Sequence, residues 1–183
     1  MNALQFVQLY SIASLTNFLN HPPEKTCIKN PFIPTYPSGY NWITDTVAIG
    51  DMYSSYDEFD VIINLQFPQN QVNDKDILFT YHLGKTIYYI GILDSSEKNN
   101  KGQMISLLDT LIPELAFTKQ NNHNLRFLFH CYAGISRSVT VATAFLVKTL
   151  AISMEDALYM VKSKRTIADP NPLFLKELEM YVS

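Results

Sequence analysis

The chain has 183 residues, enough for one compact domain with a real core and short for two. Apolar residues make up 47% and charged residues 17%, which excludes a disordered chain. The formal charge of −3 carries no global bias toward nucleic acid, and the one local basic excess, "KSKR" at 162–165, reads as a solvated helix end.

The N-terminal stretch, residues 1–23, carries no charged side chain. It lacks the basic start of a signal peptide, and Asn, Gln, Ser and Thr interrupt its apolar positions too often for a membrane span. Leu4, Val7, Leu15, Phe18 and Leu19 fit a helix with one apolar side. Residues 21–40 hold five prolines and one glycine and favour extended and turn geometry, as a connector would. We therefore expect an N-terminal helix and Pro-rich connector over 1–40, and a main domain over 41–183.

From about residue 42 the pattern changes. "TVAIG", "DVIINL" and "TIYYIGI" are short Val- and Ile-rich runs bounded by turn formers, as buried strands should be. The last of these ends at Asp94 and the polar loop "SSEKNNKG". Met104, Leu107, Leu108, Leu111 and Leu115 then recur at helical spacing, with Pro113 placed to kink or end the helix. "TKQNNHN" at 118–124 reads as a surface loop. "LRFLFH" is a further strand, and "SVTVATAFLVKTL" is apolar nearly all round, as a buried central helix would be. "SMEDALYMVKSK" opens with Ser153 and Asp156 in a near capping-box arrangement. The final helix begins at "NPLFLKELEMYV", with Asn171 as cap and Pro172 in first position. Strands and helices intermixed in this way predict an α/β domain.

Between the strand "LRFLFH" and the helix that follows lies a loop of small residues with a cysteine at its start and an arginine at its end. Such a strand–loop–helix turn makes an anion cradle, because backbone N–H groups and the helix dipole present positive potential. Ala133 and Gly134 allow close backbone approach. A thiol at Cys131 would be drawn toward its thiolate by the same donors that hold a phosphate. Arg137 would grip two phosphoryl oxygens with its planar fork. Nucleophile and electrostatic stabiliser together predict phosphoryl transfer to sulfur followed by hydrolysis, with no metal or other cofactor. The four histidines are scattered and form no metal-ligand spacing. Two cysteines, Cys27 and Cys131, cannot build a disulfide framework, so the expected setting is a reducing intracellular compartment, cytoplasmic or nuclear. Cys27 reads as an isolated thiol rather than a redox partner.

The run "HCYAGISRS" resembles the signature of the cysteine-based protein phosphatases, and its Ala-Gly-x-Ser-Arg-Ser form resembles the dual-specificity branch, in small atypical or viral-type members. "ITDTVAIGD" and "DVIINL" are similar to that family's opening strands, and "RTIADPNPLFLKELEMY" to its closing segment. The resemblance spans roughly residues 42–183 and implies a central, mostly parallel twisted sheet flanked by helices, with the N-terminal helix as an extension. It implies Cys131 as nucleophile and Arg137 as phosphate and transition-state clamp. Ser138 would ease departure of the sulfur, and His130 would brace the loop. Tyr132, Ala133, Gly134, Ile135 and Ser136 would line the bound phosphate, with Tyr132 shaping the rim. The family's general acid is an Asp on a separate loop after a strand, which Asp94 matches better than Glu97. Ser136 reads as a loop-stabilising hydroxyl. Arg165 could reach substrate phosphate, but the solvated helix end is the preferred reading.

The implied function is hydrolysis of phosphotyrosine and phosphoserine or phosphothreonine in protein substrates, with no nucleic-acid partner. Two alternatives stand beside it: the same chemistry on phosphoinositides or RNA 5′-phosphates, and a phosphoresidue-binding protein without turnover. A monomer and a homodimer through the N-terminal helix are both consistent with the sequence.

Overall fold

The four apolar runs legible in the sequence form the middle of one six-stranded sheet. The computed structural model describes residues 39–66, 77–95 and 101–183. The expected N-terminal helix, most of the expected connector, Cys27 and Glu97 lie outside the described residues. In chain order the elements are β1 (Tyr40–Thr44), β2 (Val47–Gly50), β3 (Val61–Asn64), β4 (Ile77–His82), β5 (Lys85–Ile90), α1 (Gln103–Asn121), β6 (Phe127–His130), α2 (Arg137–Leu150), α3 (Met154–Lys164) and α4 (Pro172–Val182). The sheet order is β1-β2-β6-β3-β5-β4. Strands β2, β6, β3 and β5 run parallel, with β1 and β4 antiparallel at the edges. The expected mostly parallel sheet is therefore present.

The parallel strands are buried on both sides, so they read as continuous apolar runs rather than alternating ones. Val47, Ile49, Val61, Ile63, Phe127 and Phe129 point to one face and pack with Leu108, Leu111, Phe145, Phe174 and Leu178 from the helices. Their neighbours Ala48, Ile62, Ile87 and Leu128 point to the other face, against Phe59 and the rings of Tyr40, Trp42 and Tyr56. Phe127 and Phe129 lie 4.9 and 5.3 Å from the ring of Phe145, which fixes α2 directly over β6. That contact sets the strand–loop–helix turn that carries Cys131.

Two strands escaped the sequence reading. β1 sits at the tail of the proline-rich stretch and is only half-buried. β4 pairs with β5 through a two-residue hairpin loop, Leu83 and Gly84, both with positive φ (50° and 77°). Such a turn favours Asn-Gly, and Leu in that conformation removes the usual hairpin signal. Leu83 is also 83% exposed, so its side chain gains little there. Relief of left-handed strain is worth about 1 kcal/mol. Leu83→Asn should therefore raise the urea midpoint, and a lowered midpoint would mean that Leu83 makes a contact this account lacks.

Helix α1 does not end at Pro113 but continues to Asn121, so Thr118–Asn121 belong to the helix rather than to the expected loop. Buried Leu111, Ile112, Leu115 and Ala116 flank the proline and hold the helix by packing. Its end is secured by Lys119, whose Nζ donates to Thr46 Oγ1, His123 O and Leu125 O, absorbing the carbonyls beyond the last turn.

The start of α1 has no side-chain cap of its own. The carboxylate of Glu177 on α4, 3% exposed, accepts from Gly102 N at 2.6 Å and Ile105 N at 3.0 Å. Removing it would orphan two part-buried N–H groups, at a cost of about 1 kcal/mol or more. Glu177→Ala should lower the denaturation midpoint while leaving turnover per folded molecule intact, and an unchanged midpoint would refute the capping role. The expected caps of α3 and α4 are present: Ser153 Oγ accepts from Asp156 N, and Asn171 Oδ1 from Leu173 N. Among the described residues no helix is long and apolar enough to cross a membrane.

Candidate active site

β6 lies at the centre of the sheet, and its chain leaves the carboxyl edge between β2 and β3, where ligands bind in open α/β sheets. Cys131 N donates to Gly50 O at 3.4 Å, and Leu65 N donates to His130 O at 2.9 Å, so the cysteine is pinned to both neighbouring strands. The side chain is a free thiol, 2% exposed. Its Sγ lies 3.3 Å from Ser138 Oγ, whose residue is fully buried in the first turn of α2.

The loop from Tyr132 to Ser136 is shaped by what holds its carbonyls. Tyr132 O accepts from Met52 N (3.2 Å) and Ile135 O from Asp169 N (2.9 Å). Ala133 O and Gly134 O accept from the guanidinium of Arg165, at 3.1 and 2.7 Å. Four successive carbonyls are thus tied to surrounding elements. In a trans peptide the N–H points opposite to its C=O, which turns the loop's donors to the other side. Gly134 has φ +67°, and a Cβ there would meet Gly50 O at 2.6 Å as well as the Arg165 guanidinium, so only glycine fits.

Arg137 closes the loop. Its Nη1 donates to Leu65 O (3.0 Å) and Ile92 O (3.2 Å), while Nε has no hydrogen-bond partner and lies 3.7 Å from Asp94 Oδ2. One edge of the fork is anchored on carbonyls, and the Nε edge remains for an oxyanion. Asp94 reaches this point from the segment after β5. Its Oδ1 accepts from Ser136 Oγ at 2.9 Å and from Asn171 Nδ2 at 3.4 Å. With Oδ1 so used, Oδ2 is the oxygen that faces Arg137. Two residues of the loop, Ser136 and Arg137, therefore meet Asp94, and the Ser136 hydroxyl also accepts from Asn171 N at 3.0 Å.

His130 is 3% exposed and shares a 2.6 Å hydrogen bond with the Tyr56 hydroxyl. Burial pushes its pKa down to about 4, against a smaller opposing effect of the Cys131 backbone, and burial raises that of Tyr56. Both groups are neutral near pH 7. In the unfolded chain the imidazole would titrate near 6.5. Below that value the unfolded state binds the extra proton, so stability is full above about pH 6.5 and declines as pH falls toward 4. The loss amounts to about 3 kcal/mol over that window. His130→Gln should flatten this part of the stability profile, and an unchanged slope would exclude His130 as its source.

Tyr132, next to Cys131, and Leu93, next to Asp94, are exposed, as is Met52, whose N–H donates to Tyr132 O. A groove of about 300 Å³ next to the acid is lined by Asp94, Ser136, Asp169, Pro170, Asn171 and Pro172.

Two residues were under-read in the sequence. Arg165, preferred as a solvated helix end, is 2% exposed and bonded to the loop. It lies four residues after buried Val161 and eight after buried Ala157, an inward spacing that the flanking exposed Lys162 and Lys164 disguise. Asn171, read only as a cap, also donates its backbone N–H to Ser136 Oγ and its amide to Asp94.

The chain matches the dual specificity phosphatase catalytic domain over residues 44–183. It belongs to that family. A protein of Invertebrate iridescent virus 6 named as a tyrosine phosphatase, 123R, is 35% identical over 141 residues, covering 77% of this chain and 87% of the viral one. Human dual specificity protein phosphatase 15 is 44% identical over 54 residues, 30% of this chain and 18% of the human protein. In fold, the crystal structure of human DUSP28 superposes with a TM-score of 0.63 at 21% identity, covering 80% of this chain and 94% of that one.

Proposed function

We propose that residues 41–183 form a catalytic domain that hydrolyses phosphotyrosine and phosphoserine or phosphothreonine in proteins through a cysteinyl-phosphate, with residues 1–40 as an appended segment. The observation that carries this reading is the convergence of Asp94, from a separate segment, on the loop that joins Cys131 to Arg137. In the first step the Cys131 thiolate attacks phosphorus, an S–P bond forms and the P–O ester bond breaks. Asp94 gives its proton to the departing oxygen. In the second step water attacks phosphorus, Asp94 takes a proton from it, and the S–P bond breaks. Ser138 donates a hydrogen bond to the leaving thiolate. Throughout, Arg137 and the loop N–H groups hold the non-bridging oxygens. Tyr132, Ala133, Gly134, Ile135 and Ser136 surround the phosphoryl group, and His130 braces the loop as a neutral group.

A phosphoprotein is favoured over phosphoinositides and RNA ends because the loop interior, Tyr132 to Ser136, carries no lysine for a polyanion, and the groove beside it is lined by the carboxylates of Asp94 and Asp169. Retention of Cys131, Arg137 and Asp94 together supports turnover over binding alone. A lone active thiol suits a reducing compartment. The test compares kcat/KM on phosphotyrosine and phosphothreonine peptides, a phosphoinositide and triphosphorylated RNA. The two peptides should be the better substrates, and a preference for either polyanion would replace this reading with its alternative.

A further inference from the structure

Arg165 is the largest side chain among the fully buried ones, yet among the described residues it forms no ion pair. Its donors go to neutral oxygens. Nε donates to Gly134 O (2.7 Å), Nη2 to Ala133 O (3.1 Å), and Nη1 to Asn41 Oδ1 (2.7 Å) and Ile49 O (3.5 Å). A cation so buried is costly unless its hydrogen bonds are complete, and here the side chain meets several oxygens in a fixed planar fork. Burial works against its charge, while the fields of Asp51 and Cys131 favour it.

The two loop carbonyls belong to consecutive peptides, and neither peptide is cis. Their N–H groups are those of Gly134 and Ile135, which must point away from Arg165 because C=O and N–H are opposed in each plane. Fixing two carbonyls at once fixes two donors at once. The van der Waals fit repeats the point, since the guanidinium occupies the space that a side chain at position 134 would need.

We propose that Arg165 is a positioning residue for phosphoryl transfer: its fork holds the carbonyls of Ala133 and Gly134 together, and so aims the loop's N–H donors at the bound anion from behind. The role rests on the reading of this loop as the phosphate site. A simple tie between α3, β1 and the loop would be the competing explanation, and it would show in stability alone.

The test measures binding of inorganic tungstate by calorimetry, and kcat and KM on an aryl phosphate, for three variants of the full chain. Arg165→Lys keeps the charge but lacks the planar fork, so it can serve one carbonyl well and not both. Its tungstate affinity should fall roughly 10-fold and its kcat more than its KM changes, toward the about 10²-fold loss typical of a missing oxyanion donor. Arg165→Met should lose more. Asn41→Ala removes an anchor of Arg165 without touching the loop carbonyls, and should lower the thermal midpoint while tungstate affinity and kcat stay close to the parent's, far from the roughly 10²-fold scale of a missing oxyanion donor. If Arg165→Met does not fold, Arg165→Lys decides. Parental tungstate affinity and kcat in Arg165→Lys would overturn the proposal, as would a loss in Asn41→Ala equal to that in Arg165→Lys. A parent chain that binds tungstate but turns over no aryl phosphate would sink the proposed function and leave the loop-positioning result readable by calorimetry.

Discussion

Cys131→Ser should abolish turnover while leaving the phosphate ester bound. Serine is close to isosteric, and the loop's shape is set by Gly50, Arg165, Met52 and Asp169 rather than by the sulfur. The cradle therefore survives the change. What is lost is the nucleophile, since among the described residues the side-chain hydrogen-bond partner at this position is the Ser138 hydroxyl, 3.3 Å from Sγ in the parent chain, and a hydroxyl is no base for a serine. Removing a covalent nucleophile costs on the order of 10⁴-fold or more in kcat. Steady-state assays with an aryl phosphate, paired with calorimetry on the same ligand, separate the two quantities. Retained turnover would move the nucleophile elsewhere, and lost binding would show that the sulfur also shapes the cradle.

The second large effect falls on Asp94. Asp94→Asn preserves an oxygen that can accept from Ser136 Oγ and Asn171 Nδ2, so the segment should stay in place. It removes the proton. Loss of general acid help costs about 10²- to 10⁴-fold, but only where the leaving oxygen needs a proton in the transition state. Phenyl phosphate, whose leaving group has a pKa near 10, should show the full loss. A nitrophenyl phosphate, whose anion leaves unaided, should show little. Equal losses on both esters would mean that Asp94 holds Arg137, which lies 3.7 Å away, rather than delivering a proton.

Much of this site was legible in the chain because its centre is local. Cys131, Arg137 and Ser138 fall within one strand–loop–helix turn, so their spacing alone places them around one cradle. Asp94 could be chosen because the family resemblance implies an Asp on a loop after a strand, and Asp94 follows the run "TIYYIGI". The parts that were missed depend on contacts between distant segments. Glu177 caps a helix that starts far upstream, and nothing in its own neighbourhood shows this. Arg165 was masked by two exposed lysines, although its spacing from Val161 pointed inward. Strand β4 lacked a hairpin signal because Leu83 stands where Asn would be expected. The end of α1 looked like a loop because its last residues, Gln120 and Asn121, are polar and exposed, while Lys119 anchors it to Thr46, His123 and Leu125.

The most direct measurement is chemical. Full-length Ser138→Ala protein, which lacks the hydroxyl beside the leaving sulfur, should break down any S–P bond more slowly than the parent. Mixed with a phosphotyrosine peptide, quenched in acid and digested, it should yield a phosphoryl group on the peptide that contains Cys131. A phosphoryl group found on any other residue, or steady turnover with none on Cys131 at any quench time, would contradict transfer to this sulfur.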